Sequence, residues 1–434
     1  MLTRIDVRGR RGEALAAALP RPEDPGRAER DAVRQIIERV RDGGDGALRA
    51  LSAELDGVAL EQFAVPDAQV HQALRRIPEE LREALLVAHR NIADYHAHEM
   101  AAVADFVAHG IRVRHLLRPV ERVGCYAPGG RARYPSTVLM CAVPAKVAGV
   151  REVVLCVPPD REGRVDDATL AAAALAGVDE VYALGGAQAI AAMAYGTESL
   201  RRVDVVVGPG NRYVAEAKRQ VAGLVGVASA FAGPSEVVVV ASPETPSQFA
   251  AIDLAVQAEH GPDGLAWLVT WSEEKADEVE AALLGVLAES PRRDDLTSTL
   301  RGGGYACIVE DADQAVAVSN VVAPEHLELL FEGAERLLGQ VQSAGAVFCG
   351  PWSPASLGDY VAGPNHVLPT NRTARFASAL RADDFLRHVH AVSAQPEAIE
   401  ALGPTVERLA ATEGLPAHAA SIALRRAALG MEGA

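Results

Sequence analysis

The chain has 434 residues, 49% of them hydrophobic and 23% charged, with a formal net charge of -16 at pH 7. That length accommodates more than one core, and the negative charge argues against a nucleic-acid partner, whose binding is dominated by cationic contacts to phosphate. No apolar run reaches the ~18 residues of a membrane span, so the expectation is a cytoplasmic enzyme acting on a small molecule.

The opening "MLTRIDVRGRRGEALAAALPRPEDP" is broken by charge and proline and carries no targeting pattern. Residues 1–25 are set apart as an N-terminal segment. From there to about residue 119 the reading is helical, because "RAERDAVRQIIERVRDGG" and "PEELREALLVAHRNIADYHAHE" repeat apolar residues at helical spacing. His89, His96 and His98 fall on packed or solvated faces of this region. From residue 120 the texture changes. The β-rich runs "VERVGCYAP", "EVVLCVPP", "DEVYAL", "VDVVVG" and "EVVVVA" alternate with Ala-rich helical runs. Such alternation specifies parallel strands covered by helices.

A second α/β set follows, with strands at "LAWLVTW", "ACIVE" and "AGAVFCG" and the crossover near "GPSE" at 233–236. The predicted fold is therefore α/β, with two incomplete Rossmann-like domains. One is formed by 120–234, the other by 235–380 together with the helical part 26–119. Residues 381–434 read as an amphipathic helical tail. The five cysteines, Cys125, Cys141, Cys156, Cys307 and Cys349, form no CxxC pair and read as buried thiols in a reducing compartment.

Three Gly-rich turns follow strands of the first set: "APGGRARYPS", "GGAQAI" and "GPGNRY". None is a GxGxxG fingerprint, but three such turns at strand C-termini mark the edge where open α/β sheets bind ligands, a nucleotide among them. Tyr126, Gln188 and Asn211 stand at these turns.

The helix over 245–260 is bounded by Thr245 as N-cap, Pro246 at the first position, Gln248 completing a capping box, and Gly261-Pro262 as the stop. Asp253, Gln257 and His260 share one of its stripes. A Gln-x-x-His pair alone also fits a solvent-facing helix end. With Asp359 and His366 in "LGDYVAGPNHVLPT", and Glu413 and His418 in "TEGLPAH", the donors suit zinc, or by the same logic manganese or cobalt. In "APEHLELL", Pro324 fits the first position of a helix, which puts Glu325 and His326 in its opening turn. The helix dipole there favours a carboxylate and a neutral imidazole, two adjacent bases. An ordinary acidic helix start with a chance histidine reads the same way.

"GCYAPGGRARYPSTVLMCAVPAKVAGV", "GPGNRYVAEAKRQVAG", "AGPSEVVVVA", "QAEHGPDG", "APEHLEL", "GDYVAGPNHVLPT" and "EGLPAH", in this order over residues 30 to 430, resemble the histidinol dehydrogenase family. The resemblance implies a zinc-dependent homodimer that oxidises L-histidinol to L-histidine through the aldehyde with two NAD+, at the end of histidine biosynthesis. It implies zinc on Gln257, His260, Asp359 and His418, with Glu325 and His326 as catalytic bases. Ser235, His366 and Glu413, alongside the metal ligands and His326, would contact substrate, and Tyr126, Gln188 and Asn211 would contact NAD. It further implies that 120–234 binds NAD, that the 235–380 domain carries zinc, and that the tail crosses to the partner subunit with Glu413 and His418. The sequence departs from the family by lacking an aspartate before "AGPSE" and by carrying Asn371-Arg372 where glycines are common. A dehydrogenase of another small alcohol, or a zinc hydrolase using Glu325 and metal-bound water, are the alternatives.

Overall fold

The computed structural model describes residues 1–21, 26–100, 104–129, 133–228, 235–261 and 264–430. The chain opens with strand β1 (Thr3–Asp6) and helix α1 (Gly12–Ala18), then α2 (Arg27–Leu51), β2 (Ala64–Val65), α3 (Asp67–Arg76) and α4 (Glu79–Glu99). Strands β3 (Phe106–Ala108) and β4 (Ile111–Pro119) precede the first α/β run. That run comprises β5 (Arg122–Tyr126), α5 (Pro135–Val147), β6 (Glu152–Val157), α6 (Asp167–Leu175), β7 (Glu180–Ala183), α7 (Gly186–Tyr195), β8 (Val205–Val207), α8 (Arg212–Val221) and β9 (Gly226–Val227). The second run begins with β10 (Glu236–Ala241), α9 (Ser247–Ala258), β11 (Leu265–Thr270), α10 (Glu273–Glu289) and α11 (Arg293–Gly303). It continues with β12 (Gly304–Ile308), α12 (Ala312–Val322), β13 (His326–Leu329), β14 (Ala346–Cys349) and α13 (Ala355–Tyr360). The chain finishes with β15 (Leu386–Ala394), α14 (Pro396–Thr412) and α15 (Pro416–Ala428).

The chain divides into two compact units, Met1–Glu99 with Val120–Phe385, and Met100–Pro119 with Leu386–Ala434. The first holds two six-stranded sheets, ordered β2-β7-β6-β5-β8-β9 and β1-β12-β11-β10-β13-β14. All pairings are parallel except that of β2 with β7. Helices on both faces explain why β10 (EVVVVA) and β11 (LAWLVT) are nearly continuous hydrophobic runs rather than alternating ones. Val237 and Val239 join the core under α9 and α10, and Val238 and Val240 join the core under α1 and α12. Asp166, Asn211, Ser272 and Asp311 cap α6, α8, α10 and α12 by accepting from backbone N–H groups.

In the second unit β15 pairs antiparallel with β4 over nine residues, and β3 adds to the other side of β4. Helices α14 and α15 pack on each other, yet α15 buries no residue and Leu409, Leu424, Val392 and Phe106 stay exposed.

Several sequence expectations are corrected. Residues 324–330 do not start a helix. Ala323 takes a left-handed conformation and ends α12, and "HLEL" becomes the central strand β13. The period of two explains this: His326 and Glu328 fall on one face of the sheet, while Leu327 and Leu329 fill the opposite core. Helix α9 begins at Ser247, not at a Thr245 cap, because the Thr245 hydroxyl donates to the Leu330 carbonyl at 2.6 Å. It ends at Ala258, so His260 lies just beyond it.

The N-terminal segment is not separate: β1 is the edge strand beside β12, three hundred residues away. The helical readings of 26–119 and 381–434 missed β3, β4 and β15; β3 and β4 form a local hairpin, while β4 and β15 pair across more than 260 residues. Ser235 and Glu236 of the "GPSE" crossover are described, and residues 229–234, including the position of the missing aspartate, lie outside the described residues. Of the five cysteines, Cys349 is only partly buried.

Candidate active site

Within the first unit a cavity of about 480 Å3 opens where the C-terminal edge of β5 and β8 faces the N-terminal edge of β10 and β13. On the β5–β8 side, Tyr126, Gly129, Gly210 and Asn211 line it. The Asn211 Oδ1 is used to cap α8, accepting from Tyr213 and Val214 N–H at 3.0 and 3.1 Å, which leaves its Nδ2 for a ligand. The Tyr126 hydroxyl accepts from the Gly186 N–H at 3.1 Å and ties two of the Gly-rich turns together. Gly208 has φ +113°, and a Cβ there would stand 2.0 Å from the Tyr126 carbonyl oxygen, so this close approach of two backbones requires glycine. Its carbonyl accepts from the ammonium of fully buried Lys218 at 2.7 Å. Burial pushes that ammonium down to about 8.

From the second sheet come Ser235 ahead of β10, Glu325 and His326 at the start of β13, Gln257 and His260 at the end of α9, Asp359 on α13 and His366 on the loop after it. Glu325 Oε2 accepts from the Glu236 N–H at 2.9 Å and lies 3.5 Å from His326 Nδ1. His326 Nε2 lies 3.4 Å from Asp359 Oδ1. Burial pushes the His326 imidazolium down, but Glu325 and Asp359 outweigh it and raise the group to about 10. The expected neutral imidazole is therefore corrected: with no helix dipole at β13, two carboxylates decide the charge. Burial raises Asp359, but His326 more than offsets this and holds the carboxyl below its usual range.

His366 Nδ1 meets the Asp359 carbonyl at 2.8 Å, so Nδ1 carries the proton and Nε2 accepts from the Thr137 hydroxyl at 3.2 Å. Burial keeps this imidazole neutral by lowering its affinity for a second proton. His260 Nδ1 likewise donates to the Val256 carbonyl at 3.0 Å, which makes Nε2 the ring nitrogen left for a ligand.

Three of the four expected metal donors, Gln257, His260 and Asp359, thus line one cavity. His418, with Glu413, belongs to the second unit and is exposed. Among the described residues, no three His, Cys, Asp or Glu side chains gather as metal ligands would. An amide oxygen, an imidazole and a carboxylate form an N/O donor set that fits zinc. Gln188 does not line the cavity: its amide donates to Asp56 at 3.0 Å and it is buried. Sequence reasoning passed over Thr137, which stood in plain view at the helix start after "GGRARYP". It also passed over Glu236, a fully buried carboxyl that burial pushes up to about 8.

Gly-rich turns at the C-terminal edge of one parallel sheet, facing Glu325, His326 and a set of N/O side chains across one cavity, define an α/β enzyme of small-molecule-binding type. A family model described as histidinol dehydrogenase matches residues 19–426. The histidinol dehydrogenase of Parasynechococcus marenigrum is 46% identical over 391 residues, 90% of this chain and 89% of its own. That of Bacillus cereus is 45% identical over 394 residues, 91% of each chain. The crystal structure of histidinol dehydrogenase from Elizabethkingia anophelis superposes with a TM-score of 0.93 at 32% identity, covering 99% of both chains. The chain belongs to the histidinol dehydrogenase family.

Proposed function

We propose that the chain oxidises L-histidinol to L-histidine through L-histidinaldehyde with two NAD+, the closing steps of histidine biosynthesis. The observation that carries this reading is the single cavity that joins Asn211 and the Gly-rich turns to His326, Glu325 and the donors Gln257, His260 and Asp359. When bound, NAD+ is the hydride acceptor, and zinc supplies a redox-silent anchor for substrate nitrogens.

Oxidation of the alcohol needs a base for the hydroxyl proton. His326 takes it as the neutral imidazole, the form that a metal ion held by Asp359 would favour by offsetting that carboxylate's charge, and the Glu325 carboxylate beside Nδ1 stabilises the resulting imidazolium. The aldehyde must then add water, and Glu325 accepts that water's proton; His326 serves the second oxidation, from the hydrate to the acid. His366, locked with Nε2 as acceptor, and Ser235 hold the substrate. Tyr126 and Asn211 face the nucleotide, with Gln188 behind the Gly185-Gly186 turn. Gln257, His260 and Asp359 hold zinc.

A second copy completes the site in this reading. The exposed apolar side chains of α14, α15 and β15 support a homodimer in which the second unit brings His418 to zinc and Glu413 to the substrate of its partner. Absorbance of NADH on mixing protein, L-histidinol and NAD+ tests the activity: two NADH per histidinol are expected, and no NADH refutes it. NADH formed from other small alcohols but not from histidinol would move the substrate assignment.

A further inference from the structure

Behind the cavity, two acidic side chains that the mechanism does not use meet in the core. Asp253 on α9 and Glu328 on β13 are 6% and 1% exposed. Their carboxyl groups hydrogen-bond each other, which requires one proton between them, because two carboxylates cannot. Burial, together with the neighbouring Asp253, raises Glu328 well above the usual range, so Glu328 holds that proton. Its other oxygen, Oε1, accepts from the Ala355 N–H at 3.0 Å, at the first turn of α13. Its Oε2 meets no donor, which leaves it as the oxygen that carries the proton towards Asp253. A buried ionisable pair is weak evidence for stability, since an apolar pair of similar volume is often as good.

The spacing shows what the contact controls. Asp253 is one helical turn before Gln257, Glu328 is one strand repeat after His326 on the same face, and Ala355 is one helical turn before Asp359. Each anchor of the clasp stands directly under a side chain that lines the cavity. We propose that Glu328, clasped to Asp253 and to the start of α13, is the positioning residue that sets the separation of Gln257, His326 and Asp359. The inference rests on the reading that Gln257 and Asp359 hold a metal ion.

Cobalt(II) is the probe, because its visible absorption band reports ligand geometry as well as occupancy. The full-length protein is stripped of metal and titrated with cobalt as wild type, Glu328→Gln, Glu328→Leu and Ala355→Pro. Glutamine presents an N–H where the protonated glutamate presents an O–H, and its oxygen still accepts from Ala355. It is expected to keep the wild-type band and an affinity within about threefold. Leucine fills the space without the clasp, and should weaken cobalt binding by roughly 10- to 100-fold, the range typical of groups that orient metal ligands, and shift the band. Ala355→Pro removes only the N–H that Glu328 accepts. Proline suits the first helical position, and Pro354 already has the extended backbone a following proline demands, so this variant tests the clasp even where Glu328→Leu does not fold. Wild-type affinity and band in folded Glu328→Leu or Ala355→Pro would overturn the proposal, as would Glu328→Gln behaving like Glu328→Leu. A wild type that takes up no cobalt would instead bring down the metal reading, and the inference with it.

Discussion

Gly208→Ala gives the sharpest test of where the nucleotide binds. The added Cβ would stand 2.0 Å from the Tyr126 carbonyl oxygen, whereas ordinary contact begins at 3.4 Å, so one of the two backbones must give way by about 1.4 Å. Relaxation is resisted on both sides. Tyr126 is the last residue of a central, fully buried strand, and the Gly208 carbonyl is held from behind by the Lys218 ammonium. The φ of +113° adds strain of about 1–3 kcal/mol for any residue with a side chain. The displaced turn carries Gly210 and Asn211, and a misplacement of about 1 Å in a binding site costs on the order of a hundredfold. NAD+ affinity, measured by titration calorimetry, is therefore expected to fall by roughly 10- to 100-fold. Zinc content after dialysis should be unchanged, since Gln257, His260 and Asp359 come from the other sheet. A folded Gly208→Ala protein that bound NAD+ within twofold of wild type would refute the assignment of this turn to the nucleotide.

Thr137→Val removes the hydroxyl donor to His366 and should lower kcat/KM for histidinol about fivefold, the equivalent of ~1 kcal/mol, without moving the KM for NAD+; an unchanged kcat/KM would show that the hydroxyl does not orient His366. Glu325→Gln should slow oxidation of histidinaldehyde by about 10²- to 10⁴-fold, and wild-type rates with the aldehyde would remove Glu325 from water activation. His418→Ala and His326→Ala dimers, each inactive, should regain part of their activity when dissociated and reassociated together, because one site of the mixed dimer collects both defects and the other neither; verified heterodimers as inactive as their parents would place His418 in its own subunit's site. Glu236 yields a pH prediction. Its folded pKa of about 8 exceeds its ordinary 4.5, so the stability that proton contributes is present below 4.5 and is lost as pH rises towards 8. At ~1.36 kcal/mol per unit this is on the order of a few kcal/mol. Denaturant unfolding of wild type and Glu236→Gln should diverge in favour of the variant between pH 5 and 9, and parallel curves would contradict it.

Local chemistry was legible wherever a few neighbouring residues decide the outcome. The valine runs and Ala-rich stretches between 120 and 270 mark strands and helices because their burial on both faces leaves no polar side to disguise them. Asn211 stood out because it follows the Gly-rich turn at the end of a strand; that it also caps α8 was shown by the structure. The ordered motifs pointed to Glu325, His326, Gln257, His260, Asp359 and His366, and the folded chain brings all six to one cavity. Only the tertiary structure decided what depends on distant partners. "HLEL" reads as a helix start by its proline and leucines, and is a strand because β10 and β14 supply hydrogen bonds on both sides. The strand identities of residues 3–6, 111–119 and 386–394 rest on partners as much as three hundred residues away. The charge of His326 is likewise set by Asp359, which approaches from α13, and the role of Glu328 is visible only once α9 and α13 are packed beside it. The second sheet also presents its N-terminal edge to the cavity, contrary to the usual rule for open α/β folds. That choice belongs to how two sheets meet, and a sequence specifies such a meeting only through the sum of its packing.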